Sequence, residues 1–309
     1  MSTIAAIPDT EKKQHIVFVS SVLLCLLLWW KPIAHLIAYS LDHESCSHIL
    51  LIPFVSAYLL YSERKRIFSV LRPGWPAAIP LMLGSAFCYG YSLRLAHGDS
   101  GNASLSLAAL ALVLALIAAF VTCYGLRASR AAAFPLLFLI WMVPLPDAAL
   151  SRTIHLLQQG SAELSFLLFK AVGVPVFRQG FVFTLPGVQI EVAQQCSGIR
   201  SSIALVITCL LAGHLFLRTG WRTAVLVLVS LPLAIVKNAV RIVTLTLLSI
   251  YVDPGFLYGS LHRDGGFVFF LLALALLFPV FLALEKSEGR GVRSAEIGRG
   301  ELKKEPAEG

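Results

Sequence analysis

Apolar residues run along this chain in blocks of about twenty, separated by short polar segments. At 1.5 Å per residue, such a block crosses roughly 30 Å of hydrocarbon as a helix. Backbone groups in lipid must be bonded within their own segment, so the blocks are read as helices. They predict about eight spans, at 16–38, 47–62, 76–94, 103–123, 130–145, 197–217, 223–249 and 266–284. The fold class is an all-α polytopic membrane protein.

The region between spans five and six differs. From Ala148 to Ala171, Leu150, Ile154, Leu157, Leu164 and Leu168 recur at helical spacing, while Gln158, Gln159, Ser161 and Glu163 interrupt the apolar character. This predicts a helix lying on the outer surface of the membrane. Next, in "GFVFTLPGVQIEVAQ", Pro186-Gly187 separates two β-branched and aromatic stretches, and Val188, Ile190 and Val192 alternate with Gln189 and Glu191. That is a β-hairpin, delivering the chain to Cys196. No repeat or linker appears, so residues 1–285 are expected to form a single membrane domain with an outer cap at 146–196. The Gly-, Glu-, Lys- and Arg-rich stretch 286–309 is expected to be a disordered cytoplasmic tail.

Composition agrees with the membrane reading: 57% of the 309 residues are hydrophobic and only 14% charged, too few to cover a soluble globule. A net charge of +8 suggests nucleic acid in a soluble chain, but here the basic residues flank apolar blocks and form no patch with interleaved aromatics. The lipid bilayer is the partner they imply, and no nucleic acid. Runs such as "SERKR" at 62–66 and the basic tail fall on one side of the spans, which places both termini in the cytoplasm. The charged start Glu11, Lys12, Lys13 resembles the opening of a signal peptide without a small-residue cleavage site, so the first span is expected to be an uncleaved anchor. The six cysteines show no CxxC or Cys/His spacing, and neither a metal site nor a cofactor is indicated.

Ionisable residues inside a span are functional candidates by default. Lys237, Asn238 and Arg241 lie in the seventh span at i, i+1 and i+4, along much the same helical face. Arg241 sits about eight residues from the outer end, roughly 12 Å deep, within reach of the outer boundary. Cys196 opens the sixth span on that side, and His262 stands just ahead of the eighth. A nucleophile, an oxyanion stabiliser and a general acid or base thus meet at one membrane face. Gly198 permits close backbone approach, and the amides of Ser197 and Gly198 suit an oxyanion. The bland readings stand beside these: Cys25, Cys88, Cys123 and Cys209 as inert core thiols, Arg241 as a snorkelling side chain, His262 as a loop histidine, and a Cys46–Cys196 disulfide.

"VAQQCSGIRSS" at 192–202, "NAVRIV" at 238–243 and "SLHRDGGFVFF" at 260–270 resemble the signature blocks of the exosortase and archaeosortase family of membrane transpeptidases. "SHILLIPFVSAYLLY" at 47–61 and "MVPLP" at 142–146 resemble its earlier blocks. The resemblance implies a catalytic set of Cys196, Arg241 and His262 in a bacterial inner-membrane enzyme with its active site on the periplasmic face. It implies substrates that are exported proteins of the PEP-CTERM type: a Pro-Glu-Pro motif, a transmembrane helix and a basic cluster at the C-terminus. Processing would pass through a thioacyl enzyme to an acceptor nucleophile that the sequence does not name, and is associated with exopolysaccharide production. Arg200, Lys237 and Arg263 are candidates for the motif's glutamate, and Ser197, Gly198 and Asn238 for support. The rivals are a non-catalytic polysaccharide-export or transport component and an intramembrane protease without transfer activity.

Overall fold

A computed structural model describes residues 9–69, 74–98, 101–257 and 266–302, with side chains from 12 to 287 except those of 195, 196 and 257. Contacts divide the chain into two compact units, Met1–Leu150 and Ser151–Gly309. The division falls inside a helix, where no change of composition announces it.

The first unit holds α1 (Asp9–Leu28), α2 (Trp30–Asp42), a 3-10 turn at Glu44–Leu50, α3 (Ile52–Ser62), α4 (Arg64–Ile67), α5 (Trp75–Leu95), α6 (Ala103–Ala131) and α7 (Ala133–Phe138). The predicted first span is broken, since α1 and α2 meet at 72°. Trp29 leaves helical geometry there, and Pro32 has no N–H to offer to the turn before it. Helices α5 and α6 pack along each other, and the buried Ser85 hydroxyl donates to the Ala111 carbonyl at 2.7 Å. Asn102 accepts from the Asp147 amide at 2.8 Å while its own backbone N–H donates to the Asp147 carboxylate at 2.9 Å. This reciprocal clasp fixes the start of α8 (Asp147–Ala171).

Among the described residues, five helices are long and apolar enough to cross a membrane: Glu44–Ser62, Ala103–Ala131, Ile199–Phe216, Gly220–Tyr251 and Gly266–Ser287. The number reaches seven if each of two broken pairs is one span, Lys12–Leu28 with Trp30–Asp42 and Ala133–Met142 with Asp147–Ala171. Among the described residues there are thus five to seven candidates, against the eight predicted. The difference lies in α5, whose Trp, Tyr, Ser and Gly residues dilute its apolar character, and in proline-associated breaks at 29–32 and 143–146.

In the second unit α8 is followed by β1 (Phe177–Gln179), β2 (Val182–Leu185), β3 (Val188–Glu191), α9 (Ile199–Phe216), α10 (Gly220–Tyr251) and α11 (Gly266–Leu302). The predicted hairpin is present, with Leu185 paired to Val188 across Pro186-Gly187. Gly187 has φ +79°, as the second loop position of a proline-led type II turn demands. The sheet also has a third antiparallel strand, β1, which no strong alternation marks in the sequence. Phe183 and Leu185 turn inward onto Ala162 and Phe169 of α8 and Val243 of α10. Arg178 pairs with Glu163 at 2.9 Å, tying the sheet to α8.

Leu205 and Cys209 of α9, Leu226 and Ala234 of α10, and Ala273 and Leu277 of α11 form a second core. Helix α11 continues past Glu285 to Leu302, a stretch whose composition predicts disorder.

Candidate functional site

The chain enters the site from the sheet. After β3 the Val192 amide donates to the Phe181 carbonyl at 3.0 Å, extending the ladder by one bond. The Val192 carbonyl accepts from the buried Gln158 side chain of α8. Ala193 is extended, Gln194–Ser197 make one 3-10 turn, and Gly198 takes the left-handed conformation at φ +73° before α9 begins. Cys196 therefore stands in a tight turn between a strand and a helix N-terminus, where the first-turn N–H groups have no carbonyl within the helix. The backbone of Cys196 is described but its side chain is not.

That turn is braced from both sides. The Ser202 amide and hydroxyl and the Ser201 hydroxyl all donate to the Gly198 carbonyl, at 2.9, 2.8 and 3.0 Å. From α10, Asn238 lies so close that a Cβ on residue 198 would come within 3.0 Å of its Oδ1. The Asn238 amide nitrogen donates to Ser161 Oγ of α8 at 3.0 Å. Beside it, Lys237 donates to Ser201 Oγ. Three helices and the strand exit thus converge on Gly198.

The charge of this cluster is its unusual property. Lys237 is only 3% exposed, its partner is a neutral hydroxyl, and among the described residues no carboxylate pairs with it. Arg241 follows one turn later on α10, half-buried, with its Nε shielded from solvent. Ser197, 1% exposed, keeps a hydroxyl with no hydrogen-bond partner among the described residues, and so does the buried Ser165 of α8. A buried cation bonded to a hydroxyl, with no carboxylate paired to it among the described residues, is a place suited to negative charge.

The structure therefore brings Ser197, Gly198, Lys237 and Asn238 together, with Arg241 one turn along. Arg200 lies on the exposed side of the first turn of α9. His262 and Arg263 lie outside the described residues. Cys209 and Cys123 are buried free thiols in helix cores, as their apolar settings suggest, and Cys46 is a buried free thiol as well. Among the described residues no group of three or more His, Cys, Asp or Glu side chains comes together.

Sequence reasoning missed the contribution of α8. Gln158 and Ser161 read as interruptions on a surface helix, yet both are buried and both serve the site, whereas Gln159 and Glu163 are the exposed ones. Their spacing carried the signal: 158, 161 and 165 fall at i, i+3 and i+7, a polar stripe of one helical face.

The family model of the transmembrane exosortases (Exosortase_EpsH) matches residues 29–279. No curated protein and no solved structure matches the chain. The matched range holds α2 to α10, both sides of the glycine turn and the apolar start of α11. The chain belongs to the transmembrane exosortase family.

Proposed function

We propose that this protein is a membrane-embedded cysteine transpeptidase that cleaves the C-terminal sorting signal of exported proteins at the periplasmic face of a bacterial inner membrane, in support of exopolysaccharide production. The observation that carries the reading is the strand–turn–glycine–helix unit at Cys196, set against the buried Lys237–Asn238 pair with Arg241 one turn away. A thiol in apolar surroundings stays protonated unless positive charge is close, and this cluster supplies it.

The substrate places its own helix beside these spans with its basic end in the cytoplasm, so its Pro-Glu-Pro segment emerges at the outer face. The Cys196 thiolate attacks the scissile carbonyl, and the charge that develops on oxygen is met by Arg241 and by the amides of the α9 start. The C–N bond breaks, His262 delivers a proton to the leaving amine, and a thioester remains. His262 then takes the proton of the incoming nucleophile, whose attack regenerates the thiolate. An amine acceptor makes this transfer and water makes it hydrolysis. Arg200 and Arg263 are the candidates to meet the glutamate of the motif, while Lys237, fixed and buried, contributes field rather than direct contact.

Co-expression with a tagged substrate bearing the tripartite signal tests the reading by the size of the product. Cys196→Ala is expected to abolish processing at normal protein level, and Cys209→Ala to retain it. Processing that survives Cys196→Ala refutes the nucleophile assignment, and no processing by the native chain favours an export or transport component.

A further inference from the structure

A cavity of about 540 Å³ opens in the first unit among α1, α3, α4 and α6, away from Cys196 in sequence and using none of the residues of the proposed mechanism. Its inner wall is aromatic. Phe18 meets Phe120 edge to face at 5.6 Å, and Phe68 lies 4.8 Å from the ring of Tyr124. The polar groups that reach this wall satisfy each other, since His15 Nδ1 and the Tyr124 hydroxyl share a hydrogen bond of 2.8 Å. The interior therefore offers hydrocarbon contact and asks for no polar ligand.

The mouth has the opposite character. Arg64 and Lys65 line it and both are exposed. Arg64 is held in place: its guanidinium stacks 4.1 Å over the Tyr61 ring and donates to the Tyr61 carbonyl at 2.8 Å. The neighbouring carboxylate, Glu63, pairs with Arg66, leaving two cations to one shared carboxylate at the rim. The apolar span Glu44–Ser62 ends two residues before Arg64, which sets the two cations at the depth where hydrocarbon gives way to headgroups.

We propose that this cavity binds an anionic glycerophospholipid, its phosphate on Arg64 and Lys65 and an acyl chain against Phe18, Phe68 and Phe120. Hydrocarbon inside and cations at the boundary match the two ends of such a molecule in order. A soluble phosphate would leave the aromatic wall empty, and a zwitterionic lipid would bring its own cation to a cationic rim. The cavity lies within the usual size of small-ligand pockets, roughly 300–1,000 Å³. It is far short of the groove that a spanning helix requires.

The test uses the full chain in phosphatidylcholine nanodiscs doped with phosphatidylglycerol carrying a photoreactive acyl chain, or with phosphatidylcholine carrying the same chain. The phosphatidylglycerol probe is expected to label peptides containing Phe18 and Phe68 about tenfold more than the phosphatidylcholine probe. Arg64→Gln with Lys65→Gln is expected to erase that preference, while Arg64→Lys with Lys65→Arg keeps it and shows that the fold tolerates change at the rim. Lys286→Gln, an exposed cation elsewhere, is expected to leave it untouched. Equal labelling by both headgroups, a preference that survives the double glutamine variant, or loss of labelling on adding inorganic phosphate overturns the proposal.

Discussion

Replacing Gly198 by alanine separates two physical demands at the site. The residue sits at φ +73°, where a Cβ meets the following carbonyl oxygen at a cost of about 1–2 kcal/mol. It also faces Asn238, whose Oδ1 and Cγ would lie 3.0 and 3.2 Å from the new methyl. Asn238 must then turn off its rotamer, adding about 0.5–1.5 kcal/mol and straining its bond to Ser161. Gly198→Ala is thus expected to destabilise the protein by about 1.5–3.5 kcal/mol. Gly187 supplies the control: its φ is +79°, but nothing lies within 4 Å of its Cβ position, so Gly187→Ala should lose only the backbone part, about 1–2 kcal/mol. Thermal unfolding of the purified proteins in detergent gives the stabilities, and co-expression with substrate gives the activity. Because displacement of the Cys196 turn by a fraction of an ångström misaligns the thiol, Gly198→Ala should reduce processing by more than about tenfold. Gly187→Ala should process normally. Equal stability and equal processing in the two variants would refute the claim that Asn238 crowds and positions this turn.

Gln158→Ala leaves the Val192 carbonyl without its donor and is expected to destabilise by about 1–3 kcal/mol, whereas Gln159→Ala on the exposed side of the same turn should be silent in the same melt. Lys237→Met removes a buried cation that no carboxylate among the described residues balances, so stability should hold or rise while processing falls at least about tenfold; unchanged processing removes Lys237 from the mechanism. A membrane-impermeant thiol reagent applied to intact spheroplasts should modify Cys196 and spare the buried Cys123 and Cys209; protection from outside with labelling from the cytoplasmic side reverses the topology.

The apolar blocks made the helices legible because hydrocarbon thickness imposes a length that composition alone can satisfy. Spans α6, α9 and α10 lie within a few residues of expectation for that reason, α6 breaking at Gly125 (φ +81°) two residues past the predicted end and resuming to Ala131. The break at Trp29 was harder to read, since Pro32 changes direction without changing hydropathy, whereas Pro144 and Pro146 fall at the predicted end of the fifth span. The Pro186-Gly187 hairpin was plain because a turn type fixes its residues, while β1 was not, since a three-residue strand holds too few positions to show alternation. At the site, Lys237, Asn238 and Arg241 stood out as charged or amide side chains in an apolar helix. Ser161 and Gln158 did not, because on a mixed helix an inward polar stripe resembles an outward one until the packing is known.

The bond between Asn238 and Ser161 joins positions 77 residues apart. During synthesis the cysteine turn leaves the ribosome well before α10 does, so a partly made chain presents its thiol without the amide that sets the glycine or the lysine that charges the surroundings. On the proposed mechanism, the nascent polypeptide is therefore expected to stay inert until α10 has been inserted, and a prematurely terminated product to leave other proteins crossing the same membrane untouched.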